Sequence, residues 1–249
     1  MGRYFVLCIT SLFLFNCASE PTLEFARQTI ASNDITACNN KKCPEITVDF
    51  EALNPTHPLA DAINKENEKF VAAIISSAVM PDEYAVTVNE AVDSFVINFQ
   101  DYMGDFPQAV EMYELDIQNF VAFSDDQYIS FETDFYTYTG GAHGYSGQEY
   151  LVLDAQTGAQ LLLDEIVKDE AAFTKFAEME FRKQNEIPIS ENINSTGFWF
   201  DEDEFYLSET YGFSQDGFEV IYQVYDISSY ADGPVTLSFT WDQIKPYLK

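Results

Sequence analysis

The chain is short of positive charge. Its 249 residues hold 12 Lys and Arg against 42 Asp and Glu, a formal net charge of −30. A surface so poor in cations cannot neutralise phosphates, which excludes nucleic acid as a main partner. The same field favours basic proteins and cations. Histidine is nearly missing: His57 and His143 are the two in the sequence, too few for a His-rich metal centre. Serine in a nucleophile setting is absent too, because Ser146 follows Gly144-Tyr145 rather than standing in a G-x-S-x-G elbow. There is no internal repeat, no low-complexity tract and no apolar run long enough to cross a bilayer. What the chain does have is apolar mass, 47% hydrophobic and 16% aromatic residues, with 22 Phe and 15 Tyr. That fills the core of one large domain or two small ones and argues against wholesale disorder.

The first residues read as an address. Met1-Gly2-Arg3 precedes a mostly apolar run, Tyr4 to Phe15, of signal-peptide length. Leu14-Phe15-Asn16-Cys17 resembles the bacterial lipobox, with Phe15 and Asn16 where small residues are usual. The expectation is a lipoprotein signal over residues 1–16 and a lipidated Cys17; the alternative is ordinary secretion with cleavage nearby. Two acyl chains on Cys17 give stable anchoring, so the membrane is expected as a partner through that lipid alone. The expected location is the bacterial cell envelope, outside the cytoplasm, at the outer membrane or periplasm in a Gram-negative cell. Cys8 leaves with the signal, and Cys38 and Cys43 remain as C-x4-C, expected to close a small disulfide loop. No metal and no cofactor are expected.

Residues 17–43 read as a tether carrying that loop. Glu45 to Phe50 alternates as a half-buried strand. A helix follows Pro58, with Leu59, Ile63, Phe70 and Ile74 on one stripe and Met80-Pro81 as its stop, and His57 leads into it. Thr87-x-x-Glu90 is a capping box for a second helix with Val92, Phe95, Val96, Phe99 and Met103 inward. The period then turns to two. Over Tyr128–Thr139 one face holds Ile129, Phe131, Thr133, Phe135 and Thr137 and is expected to be buried. The other holds Tyr128, Ser130, Glu132, Asp134 and Tyr136 and is expected to be polar. Asp125-Asp126 reads as a hairpin turn. Further strands are expected at Glu149–Asp154, Phe205–Ser208, Phe218–Tyr225 and Val235–Phe239, with a helix from Asp169 to Ile187, a long mobile-looking loop at 188–204, and a short helix capped by Thr240-x-x-Gln243. The fold class is α+β, a mostly antiparallel sheet with helices packed on it.

Several phrases stand in fixed order: Tyr136-x-Tyr138-Thr139-Gly140-Gly141-Ala142-His143-Gly144, then Leu153-Asp154-x-x-Thr157-Gly158, then Phe205-Tyr206-Leu207, then Tyr225-Asp226-Ile227-x-x-Tyr230-Ala231-x-Gly233-Pro234. Together they resemble the extracytoplasmic module shared by RsiV-type anti-sigma factors and PdaC-type peptidoglycan deacetylases. The resemblance covers residues 44–249, as a PdaC-like part at 44–147 and an RsiV-like part at 148–249. It implies an α+β fold outside the cytoplasm and, from the RsiV side, capture of lysozyme. A signal segment stands where those sensors carry a cytosolic segment and a span, so direct sigma-factor control is not expected. No H-x3-H pair or separate catalytic domain is present, so deacetylation is not carried over.

Three features are candidates for function. Gly140-Gly141 offers two positions free to take positive φ, either as a tight connection with His143 bonded to a carbonyl, or as a loop presenting His143 as acid/base beside Asp134, Glu132 or Tyr136. Phe198, Trp199, Phe200 and Tyr206 form either a carbohydrate or protein platform or core beneath the long loop. Asp201-Glu202-Asp203-Glu204 reads as a solvated run; it lacks the spacing of a calcium loop. The expected function is a non-enzymatic, lipid-anchored binding module whose partner is a basic lysozyme-like muramidase or peptidoglycan. The alternative is an envelope glycan-acting hydrolase, or deacetylase-associated protein, using His143 with nearby carboxylates.

Overall fold

The computed structural model describes residues 22–39, 41–79, 85–108 and 112–249. The signal segment, Cys17 and the helix stop at Met80-Pro81 lie outside the described residues. Strands β1 (Phe25–Ala31), β2 (Glu45–Leu53), β3 (Glu114–Ser124), β4 (Tyr128–Tyr138) and β5 (Tyr145–Asp154) form one sheet in that order. β2 and β3 run parallel, because helices α1 (Ala60–Ser77) and α2 (Val88–Asp105) carry the chain back between them. The other neighbours are antiparallel. A second sheet is the antiparallel meander β6 (Thr210–Phe213), β7 (Gly217–Tyr222) and β8 (Val235–Thr240). The short α3 (Leu163–Ile166), the longer α4 (Glu170–Gln184) and the short α5 (Trp241–Ile244) complete it. The class is α+β and mostly antiparallel, as expected.

Each helix buries the stripe its spacing prescribes. α2 opens on the Thr87–Glu90 capping box. Its Val92, Phe95 and Phe99 pack with Val71 and Ile75 of α1 on Val48, Leu115 and Ile117 of the sheet. Ile63 packs further along the same face against Leu53, Ile129, Phe131, Leu151 and Leu153. α4 sets Phe173, Ala177 and Phe181 against Phe218, Val220, Tyr222 and Phe239 of the second sheet.

Several expectations change. Residues expected to be tether include β1, whose Phe25 ring meets Phe131 edge-on at 5.6 Å and whose Ile30 reaches the helical core. β1 is an exposed edge strand, so no apolar alternation marks it. β3 lies where no strand was expected: its inward face runs Leu115, Ile117 and then the polar Asn119, and its register shifts between Val121 and Phe123. Phe205–Ser208 is not a strand: Phe205 is held by ring packing on Phe181 and Phe200, and the ladder starts at Thr210. The loop at 188–204 is pinned rather than loose: Asn194 Nδ2 donates to the Phe200 carbonyl at 2.9 Å, and the Phe200 N–H donates back to Asn194 Oδ1 at 2.7 Å.

The face of β4 expected to be polar is buried at its start. Tyr128 stacks on Phe213 at 4.6 Å, and the Phe213 N–H donates to Ser130 Oγ at 3.0 Å. The second sheet therefore covers the face that the helices leave bare, and only toward Asp134 and Tyr136 does β4 emerge into solvent.

The described chain begins beside the Asp125-Asp126 turn, where Phe25 pairs with Leu53 and Ser124 with Ile129. The Gly140–Gly144 loop lies at the other end of the sheet, about 35 Å away along the 11 residues of β4.

A buried amide network ties the layers. Asn67 of α1 donates to the Glu51 carbonyl and to Asn119 Oδ1, both at 2.8 Å; Asn119 donates to Asn67 Oδ1 at 3.0 Å and Thr133 Oγ1 at 2.9 Å. Removing one amide strands buried partners. Asn119→Ala is expected to lower unfolding stability by about 3 kcal/mol, read as a shift of the urea midpoint with unchanged slope.

Candidate binding surface

The β4–β5 connection is set by Gly140 and Gly141, at φ 99° and 96°, a region that side chains with a Cβ avoid. Tyr138 Oη donates to the Gly141 carbonyl at 2.9 Å and closes the loop. Ala142 and His143 are exposed at its tip. The His143 ring lies on Tyr230, centroids 4.3 Å apart and planes 29° apart. Its Nδ1–H donates to the Gly144 carbonyl at 2.9 Å, and Tyr230 Oη donates to the same carbonyl at 3.1 Å. Gly144 is needed for space: a Cβ there would stand 2.5 Å from Tyr136 Oη. Tyr136, Gly144, His143 and Tyr230 thus form one packed unit, built from two sequence phrases 86 residues apart.

The unit continues along the surface. Tyr230 stacks on Tyr225, centroids 5.8 Å apart, and Tyr225 is 57% exposed with φ 75°. A non-glycine residue held there stores strain of order 1–3 kcal/mol, which here keeps a large ring in solvent. The Trp199 N–H donates to the Ile227 carbonyl at 3.1 Å, bringing the 198–206 segment alongside. Of the four residues singled out there, Trp199 is 44% exposed and Tyr206 is exposed. Phe200 is 2% exposed and belongs to the core, packed edge-on to Phe181 with Phe198 beside it. The expected platform therefore splits: Phe198 and Phe200 hold the segment down, and Trp199 and Tyr206 face outward.

Asp226 sits among these rings. Burial, then the Asp226 and Glu149 charges, push the Tyr145 phenol up; burial, then Asp226 and Asp201, do the same to Tyr206. The surface is aromatic and negative. Sequence reading missed its second half, although a signal was there: Lys and Arg are missing from residues 70–167 and again from 184–244, the two stretches that supply every one of these rings.

The acid/base arrangement considered for His143 is not assembled. Asp134 takes a hydrogen bond from Gln148 at 3.2 Å, Glu132 is bonded by Gln148 and Tyr150, and His143 is bonded to the Gly144 carbonyl. His57 Nδ1 accepts the Leu59 N–H at 3.2 Å at the start of α1. Cys38 and Cys43 are joined in a disulfide, Cα atoms 5.2 Å apart. In the acidic run Asp203 accepts from Asn194 at 2.7 Å. Among the described residues no group of three or more His, Cys, Asp and Glu is placed to hold a metal ion, and no helix is long and apolar enough to cross a membrane.

Residues 37–146 match the family model described as deacetylase PdaC, and residues 161–242 match a family of unknown function, DUF3298. The chain thus carries the paired PdaC/RsiV-like module that its motifs resemble. Among solved structures it is similar to a DUF3298-family member from Bacteroides fragilis, at 22% identity over 92% of this chain and 95% of that one, with a TM-score of 0.66. A DUF3298-family protein from Pseudomonas aeruginosa is similar at 18% identity over 92% and 96%, with a TM-score of 0.63. Both likenesses concern the fold. No curated protein matches. The His143–Tyr230 stack joins one matched region to the other.

Gly144→Ala is expected to cost about 1–3 kcal/mol by forcing the Tyr136 ring aside. In a Tyr136→Ala background the same change should cost much less, which a double-mutant cycle of urea midpoints measures.

Proposed function

We propose that the protein is a non-enzymatic binding module of the cell envelope, anchored by lipid on Cys17, that takes a basic lysozyme-like muramidase on its aromatic surface. One observation carries the reading. Tyr136, His143, Tyr225 and Tyr230, continued by Trp199 and Tyr206, come from both matched regions and from stretches without a single Lys or Arg. Large, rigid aromatic side chains are what interfaces use as anchors. Uniform negative charge speeds encounter with a cationic protein and discourages acidic ones. The far-end position of the surface also suits the role, because a chain tethered ahead of Thr22 presents that end away from its anchor.

Peptidoglycan is the second reading, supported by the same stacked and exposed rings, against which sugar faces pack. The hydrolase alternative draws less support, since His143 is bonded to a carbonyl and not to a carboxylate.

The non-lipidated chain is expected to bind lysozyme with an on-rate that falls about tenfold or more as salt rises from low to several hundred millimolar. Tyr230→Ala and Trp199→Ala should each weaken the complex roughly 30-fold, about 2 kcal/mol. Biolayer interferometry measures both. No binding at low salt removes the muramidase, and retention on insoluble peptidoglycan then selects the second reading. For the anchor, Cys17→Ala is expected to move the protein from the membrane to the soluble fraction.

A further inference from the structure

Where the two sheets meet, one phenol faces two carboxylates. Tyr150 Oη of β5 lies 3.0 Å from Glu132 Oε2 of β4 and 3.2 Å from Glu219 Oε2 of β7. The ring is buried, sealed by Phe120, Ala122 and Ile221, and runs so close over Gly212 of β6 that a Cβ there would meet it. The remaining oxygens are served from elsewhere. Gln148 Nε2 donates to Glu132 Oε1 and to Asp134 Oδ1, and Ser214 Oγ donates to Glu219 Oε1 at 3.4 Å. β3 offers Gln118, which donates to Asp116. The charged groups facing the phenol are thus Glu132 and Glu219, with Asp134 beside them. Among the described residues no Lys, Arg or His is bonded to any of the three.

With both carboxylates ionised the proton count does not close. A phenol carries one proton and can donate it to one carboxylate. If Glu219 receives it, Glu132 Oε2 faces a phenol lone pair with no donor between them. One added proton completes the chain, Glu132 O–H donating to Tyr150 Oη and Tyr150 O–H donating to Glu219.

We infer that Glu132, Tyr150 and Glu219 form a proton-operated latch between the two sheets, which takes up one shared proton and ties the sheets more tightly as pH falls. The electrostatics agree. Burial pushes the Glu132 carboxyl above the ordinary carboxylate range, the Tyr150 hydrogen bond opposes this, and the Asp134 and Glu219 charges add to it. The sign follows from linkage. A carboxyl whose folded-state affinity for protons is raised binds more protons folded than unfolded, so its contribution to stability is present below the ordinary glutamate range near 4.5 and is lost as pH rises through the raised value.

The test compares the urea midpoint of the chain with that of Glu219→Gln and Glu132→Gln from pH 4 to 8. Either amide can donate to the phenol without taking up a proton. The unfolding constant of the wild type relative to either variant is expected to rise about tenfold between pH 4.5 and 7.5. Parallel profiles overturn the latch. Infrared difference spectra give a second reading. Folded wild type minus folded Glu132→Gln is expected to show a protonated carboxyl band above pH 5, and its absence overturns the latch; Asp134 and Glu149, whose carboxyls burial also pushes up, are present in both proteins and cancel.

Discussion

The rest of the structure depends on β4 serving two cores at once. A strand offers two faces, and in an antiparallel sheet one is ordinarily left to water. Here helices α1 and α2 cover the Ile129–Phe131 face, and the β6–β8 sheet covers Tyr128 and Ser130 on the other. The cover is staggered. Both faces are closed at the start of β4; by Asp134 and Tyr136 the second-sheet face has opened to solvent, while Phe135 and Thr137 on the helix side stay covered. That stagger gives the molecule a presented end.

At that end the chain assembles its surface from fixed parts. Gly144 lets the Tyr136 ring pass, Tyr230 caps the carbonyl that His143 also binds, and Tyr225 is held out at a strained backbone angle. None of these rings is exposed by chance of a floppy loop. His143, Tyr230 and Tyr225 are each tied by a backbone hydrogen bond or a ring stack. The charge is equally ordered. The chain's few cations are confined to residues 27–69, 168–183 and 245–249 within the described stretch, so the segments that supply these rings carry none.

Much of this was legible in sequence, and the misses share a cause. α1, α2 and α4 could be read because their apolar stripes recur at helical spacing and α2 carries its capping box. β4 could be read as a strand, yet the burial of Tyr128 and Ser130 could not, because their cover is a sheet formed 83 residues later. Phe205–Ser208 reads as a strand because Phe205 and Leu207 alternate, but Phe205 answers to Phe181 and Phe200, and Leu207 to the same core, not to a ladder. β1 lacked any period because its middle is exposed on both faces. For the surface, the Tyr136–His143 phrase and the Tyr225–Tyr230 phrase were both visible; their meeting was not, since a stacking contact between residues so distant in the chain leaves no local mark.

The composite character of the surface has a physical consequence for the pairing of the two matched regions. His143 and Tyr136 belong to the first and Tyr225, Tyr230, Trp199 and Tyr206 to the second. The first region alone would leave the Gly144 carbonyl without its Tyr230 hydroxyl and the Ser130 hydroxyl without the Phe213 N–H. The second alone would leave Phe213 without the Tyr128 ring it stacks on. Each region buries polar and apolar groups that the other completes, so neither forms a finished surface by itself. The two matched regions stand as a pair in one body for a reason of packing: the aromatic surface exists only where they touch.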